Sequence, residues 1–144
     1  MEAPRDPLND PDTLAVDALD VDGLVRKFQK ELNSGLIALV LLCVLEREGE
    51  DLYGYQIAKR LEGMSEAGSP MKQGALYPVL RTLSAHGLLA SRVVPSYAGP
   101  PRRYYKITAA GRETLARWLK AWRATRDFVD TAAGPAASTP LTDK

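Results

Sequence analysis

The chain has 144 residues, enough for one compact domain with an appendage and too few for two ordinary domains. Its 45% apolar and 26% charged residues exclude collagen-like, disulfide-scaffold and wholly disordered classes. The net charge of +1 hides an asymmetry: residues 1–22 hold Glu2, Asp6, Asp10, Asp12, Asp17, Asp20 and Asp22 against Arg5 alone, a net of −6, which leaves +7 for residues 23–144. Cys43 is the single cysteine, so no intrachain disulfide can form, and with no secretory leader visible a reducing cytoplasm is the expected compartment.

Residues 1–20 combine acids with three prolines and few large apolar side chains, and are expected to be a disordered acidic arm. From residue 21 a helical stripe begins. Leu24, Phe28 and Leu32 recur at four-residue spacing between Arg26, Lys27, Lys30 and Glu31, and Asp20 or Asp22 is placed to cap them. Asn33, Ser34 and Gly35 offer a bend before the run LIALVLLCVL at 36–45, which is about half the length needed to span a bilayer and reads as a buried core helix ending at Gly49.

A short helix over 54–63 puts Ile57, Ala58 and Leu61 on one face. After the turn-rich 65–70, Leu76, Leu80 and Leu83 mark another, ending at His86 and Gly87. Pro78 requires this helix to begin close to Gly74 or to bend there. Residues 88–94 and 102–108 read as strands, and the PSYAGPP between them as a long hairpin tip. Thr108 reads as the cap of a last helix that places Leu115, Trp118, Leu119, Trp122 and Val129 near one face up to about residue 132.

The element order predicts a mainly α fold with a small β-hairpin, a winged helix-turn-helix plus a C-terminal dimerisation helix. Its parts are the arm (1–20), the winged domain with its N-terminal helix (21–108), the dimerisation helix (109–132) and a flexible tail (133–144). No acid occurs between Glu66 and Glu113, while Lys72, Arg81, Arg92, Arg102, Arg103, Lys106 and Arg112 all lie there. A one-signed block of this kind fits binding to a polyanion better than a merely solvated face. In a winged helix-turn-helix the helix before the hairpin enters the major groove and the hairpin follows the backbone. Lys72, Gln73, Tyr77, Arg81, Arg102 and Arg103 are therefore the expected contacts to double-stranded DNA. A two-fold homodimer would bind a pseudo-palindromic operator.

Four motifs give the order a family likeness: YGYQIAKRL at 53–61, GALYPVLRTL at 74–83 followed by HGLL at 86–89, GPPRRYYKIT at 99–108 and AAGRETLARWLKAW at 109–122. The chain resembles the PadR family of bacterial transcriptional regulators over about residues 33–129. The resemblance implies that Tyr53 and Tyr55 seat the second helix, that Tyr77 and Pro78 shape the recognition helix, and that Arg102, Arg103 and Tyr104 build the wing. It implies dimerisation through Leu24 and Phe28 together with Leu115, Trp118, Leu119, Trp122 and Val129. Trp122 lies where some relatives carry a tryptophan that holds a planar aromatic small molecule between subunits, and Trp118 lies one turn before it, although large rings also stabilise interfaces without a ligand. The MKQ before Gly74 departs from the Ser-containing run of the family.

The expected function is sequence-specific DNA binding, as a repressor released by a small-molecule effector. The alternative is a winged-helix protein-interaction module that does not read DNA. No phosphate-binding glycine loop, nucleophile elbow or metal motif is present, so no enzyme activity and no cofactor are expected. One Cys and one His, His86, fall short of a metal site, and Cys43 reads as a small core residue.

Overall fold

The computed structural model describes residues 19–135, so the expected arm and tail lie outside the described residues except for 19–20 and 133–135. The elements are α1 (Val21–Glu48), β1 (Leu52–Tyr53), α2 (Gly54–Glu62), α3 (Gln73–Ala85), β2 (Leu89–Ser96), β3 (Gly99–Ile107) and α4 (Ala109–Ala133). Among the described residues, four helices and a three-stranded antiparallel sheet of order β1-β3-β2 make a winged helix-turn-helix, the fold class the sequence predicts. The chain divides into two units, 1–35 and 36–144.

In the first unit the Asp20 carboxylate accepts from the Gly23 N–H at 2.8 Å, which caps α1. Leu24, Val25, Phe28 and Leu32 are exposed on this stretch. Helix α1 continues through Asn33, Ser34 and Gly35 without a break, where the sequence offered a bend. None of the three lacks an N–H, so the backbone ladder persists, and a mid-helix glycine costs only about 1 kcal/mol.

The core belongs to the second unit. Ile37, Leu41, Leu42, Val44 and Leu45 of α1 pack with Leu52, Ile57, Leu61, Leu76, Leu80, Leu83, Leu89, Tyr105, Ile107 and Leu115. Each large side chain so buried contributes roughly 1.5–3 kcal/mol. By length and composition α1 could cross a membrane, but its most apolar turns are the centre of this core.

Helix α3 begins at Gln73, so Pro78 falls in its second turn and leaves only the Gly74 carbonyl without its helical donor. At the other end Gly87 takes φ +79°, and the N–H groups of Gly87 and Leu88 return to the carbonyls of Ser84 and Leu83, both at 3.0 Å. This left-handed stop turns the chain into β2.

The hairpin departs from expectation at its tip. Ser96 pairs with Gly99, so the turn is Tyr97–Ala98 alone and the strands take up the rest of PSYAGPP. Between the pairs Val94↔Arg102 and Ser96↔Gly99, Pro95 opposes two residues, Pro100 and Pro101. Prolines cannot donate to a ladder, and a bulge is where a strand tolerates them. The two-residue strand β1, paired as Leu52↔Tyr105 and Tyr53↔Tyr104, was not foreseen because it is too short to show a periodicity.

Thr108 caps α4 as expected: its hydroxyl accepts from the Gly111 N–H at 3.0 Å and donates to the Gly87 carbonyl at 2.7 Å. A Cβ at Gly111 would run into the Leu88 carbonyl and lie 2.7 Å from Ile107 Cγ1. Gly111→Ala is therefore expected to destabilise by about 2 kcal/mol despite alanine's better helix propensity, because the obstacle is backbone. Thr108→Ala should cost about 1 kcal/mol. Denaturant midpoints check both, and an unchanged midpoint for Gly111→Ala would show that the α4 junction is looser than described.

Candidate nucleic-acid interface

Helix α3 buries Leu76, Leu80 and Leu83 and turns Lys72, Gln73, Tyr77 and Arg81 outward. Lys72 is the residue that precedes the helix, and Gln73, Tyr77 and Arg81 follow at four-residue spacing along one face. Gln73 also lines a small groove between α2 and α3 with Ala58, Met71 and Leu76. Tyr77 is only 36% exposed because its ring lies against Gly54, the first residue of α2. A Cβ at position 54 would collide with that ring. Gly54 thus lets α3 sit against the start of α2.

The residue before Gly54 performs the same service for the wing. The Tyr53 N–H donates to Gln56 Oε1 at 3.1 Å, which fixes the entry to α2. The Tyr53 ring meets Tyr104 edge-on, 5.3 Å between centroids at 68°, and stacks with Tyr55 at 6.5 Å and 19°. Above it lies the Arg102 guanidinium, 4.5 Å from the centroid. On the same sheet face Arg92 covers Tyr104 at 5.1 Å while its Nε binds Asp51 at 2.8 Å. Contacts of this type contribute roughly 0.5–1 kcal/mol each at exposed sites.

Strand alternation sends Arg102 and Tyr104 to this face, and Arg103, Tyr105 and Ile107 to the other. Tyr105 and Ile107 are buried there, whereas Arg103, nearer the tip, reaches past the core and donates to the Ser91 hydroxyl at 3.1 Å. The six expected contacts therefore fall into two groups, Lys72 just before α3 with Gln73, Tyr77 and Arg81 along it, and two on opposite faces of the wing.

The acid-free block is less free in space than in sequence. Arg92 is paired with Asp51, and Arg112 with Glu46 at 2.9 Å, both acids coming from outside the block. Lys72, Arg81, Arg102, Arg103 and Lys106 form no ion pair among the described residues. Those five cations define the candidate interface. Sequence reasoning missed Asp51 and the Tyr53–Arg102 stack. The charge of Asp51, forty-one residues from Arg92, carried no local signal.

The residues expected at a subunit interface are differently placed. Leu24 and Phe28 are exposed, Phe28 by 62%. Leu115 lies inside its own core, and Trp118 and Leu119 are partly buried against it. Trp122 is half-buried and Val129 exposed, as is Phe128, which the sequence reading did not single out. Cys43 also packs against the core, and burial pushes its thiol up against the smaller opposing pull of Arg123. A thiol held protonated in this way is a poor nucleophile or metal ligand. His86 ends α3, and no group of three or more His, Cys, Asp or Glu side chains converges among the described residues.

Gly54→Ala should displace Tyr77 and cost about 1 kcal/mol of stability in the parent. In a Tyr77→Ala background the same change should become neutral or stabilising by up to about 1 kcal/mol, since alanine is the better helix residue. Thermal or denaturant unfolding of the four proteins decides it, and an equal effect in both backgrounds would mean that the ring does not limit residue 54.

The profile described as the transcriptional regulator PadR-like family matches residues 41–117, which takes in the core turns of α1, the helix-turn-helix, the wing and the first turns of α4. Solved structures agree. A PadR family transcriptional regulator from Eggerthella lenta is 32% identical, with a TM-score of 0.62 over 76% of this chain and 91% of the other. A PadR family transcription regulator from Clostridium difficile is 28% identical, with a TM-score of 0.56 over 69% and 99%. PadR of Bacillus subtilis, solved in complex with operator DNA, is 25% identical, with a TM-score of 0.51 over 58% and 45%. By its sequence and its fold, this chain belongs to the PadR-like family of transcriptional regulators.

Proposed function

We propose that the protein regulates transcription by binding duplex DNA as a homodimer in the cytoplasm, with the N-terminal end of α3 in the major groove and the wing along the flanking backbone. The observation that carries this reading is the set of five cations, Lys72, Arg81, Arg102, Arg103 and Lys106, at the start of α3, on it and on the wing, that have no acidic partner among the described residues. Unpaired charge on a surface that also buries a core is what a phosphate backbone would neutralise. The operator complex of the Bacillus subtilis relative supports the same assignment.

In this reading Gln73, at the first turn of α3, reaches base edges, and Arg102 and Arg103 hold phosphates on the two faces of the wing. Dimerisation would use the exposed apolar residues of α1, Leu24 and Phe28, and those of α4 beyond its core contacts, Trp122, Phe128 and Val129. Trp118 and Leu119 would be shared between the subunit's own core and the interface. Repression is the favoured outcome, because a small dimer without an effector domain blocks polymerase more readily than it recruits it. A planar aromatic effector would sit against Trp118 and Trp122, whose partly exposed rings offer the needed flat apolar area. The rival reading, a protein-interaction module, gives no reason for the wing to keep Arg102, Arg103 and Lys106.

If the five cations of each subunit contact phosphates, a dimer neutralises about ten, and log Kd should change with log salt with a slope of about 9 in magnitude. Arg102→Ala combined with Arg103→Ala should weaken binding to every duplex and make that dependence shallower. A salt-independent association would favour protein partners instead. By contrast, Gln73→Ala should alter the preferred sequence more than the overall affinity. Selection of bound sequences from a random duplex pool tests this, and an unchanged preference would place base reading elsewhere on α3.

A further inference from the structure

Two arginines share one face of the wing yet are held differently. Arg92 covers the Tyr104 ring and gives its Nε to Asp51 at 2.8 Å. Its charge is answered within the fold. Arg102 meets no carboxylate among the described residues, and its guanidinium carbon lies over the Tyr53 ring, 4.5 Å from the centroid. A guanidinium carries its N–H donors in its plane. Packed face-on against a ring, such a group keeps the donors at its edge, where a phosphate oxygen can accept.

The ring beneath it has little freedom. The Tyr53 backbone is tied to Gln56 Oε1 at 3.1 Å and paired with Tyr104 in the sheet. Its ring is stacked by Tyr55 at 6.5 Å and met edge-on by Tyr104 at 5.3 Å. A long arginine side chain on a hairpin would otherwise have to be ordered when it binds, at the expense of affinity.

We propose that Tyr53 is a positioning residue for nucleic-acid binding: its braced ring holds the Arg102 guanidinium by one face and presents the N–H edge to a backbone phosphate. The inference rests on the DNA-binding reading above. It assigns Tyr53 a task beyond seating α2, and it ties a cation of the wing to the entrance of the helix-turn-helix. Because a lysine offers a charge without a planar face, Arg102→Lys should not substitute for the parent residue.

The test is a double-mutant cycle in the full chain, reading affinity for a mixed-sequence duplex at low ionic strength. Tyr53→Leu should weaken binding about five-fold in the parent background and less than about two-fold when Arg102→Ala is already present. Tyr53→Phe, which keeps the ring, should match the parent. Side-chain proton shifts of Arg102 without DNA give an independent readout: upfield displacement by the ring in the parent and in Tyr53→Phe, and none in Tyr53→Leu. If Tyr53→Leu proves unfolded, Tyr53→Phe, Arg102→Lys and the parent's upfield shift still decide the matter. Additive losses, a Tyr53→Phe protein as weak as Tyr53→Leu, an Arg102→Lys protein as tight as the parent, or an Arg102 without a ring shift would each overturn the proposal. A parent that binds no duplex at all would instead refute the DNA-binding reading, and this proposal with it.

Discussion

The contact between the Tyr77 ring and Gly54, together with the Arg102 stack on the adjacent Tyr53, joins the recognition helix and the wing through two consecutive residues at the start of α2. A side chain at position 54 would push α3 outward, and loss of the ring at 53 would release the wing's cation. The core alone would not set this geometry, since Leu76, Leu80, Leu89 and Tyr105 fix where α3 and the sheet lie but not how their polar faces are presented. That presentation depends on a close approach only glycine allows and on an aromatic platform braced by its neighbours.

The electrostatics follow from the same arrangement. Seven cations sit in a stretch without acids, and tertiary pairing answers two of them, Arg92 through Asp51 and Arg112 through Glu46. Exposed pairs of this kind contribute little stability. Their larger effect is to decide which charges remain. Those with no ion pair among the described residues lie at the start of α3, on it and on the wing, the two elements a winged helix-turn-helix brings to a duplex.

Much of this architecture is legible in the residues. The helical spacing of Leu76, Leu80 and Leu83, the stop at Gly87, the cap at Thr108 and the strand chemistry around Tyr104 are local signals, and each element stands close to where they put it. What the sequence hid was non-local or short. Strand β1 is two residues long, and the bulge at Pro95, Pro100 and Pro101 converts apparent turn chemistry into strand. The bend read at Asn33–Gly35 lost to an uninterrupted backbone ladder. Leu115 carries the periodicity of an interface residue but lies in its own core, because a hydrophobic stripe does not say which surface will cover it. The Asp51–Arg92 pair and the Tyr53–Arg102 stack depend on register between distant strands.

The central claim is that α3 and the wing engage a single duplex together. Amide chemical-shift mapping during titration with duplex DNA at low ionic strength tests it most directly. Residues 72–81 and 99–107 should shift in parallel at the same DNA concentrations, while the buried stretch around residues 41–45 stays largely unchanged. Shifts confined to one of the two elements, or concentrated on α4 instead, would contradict it.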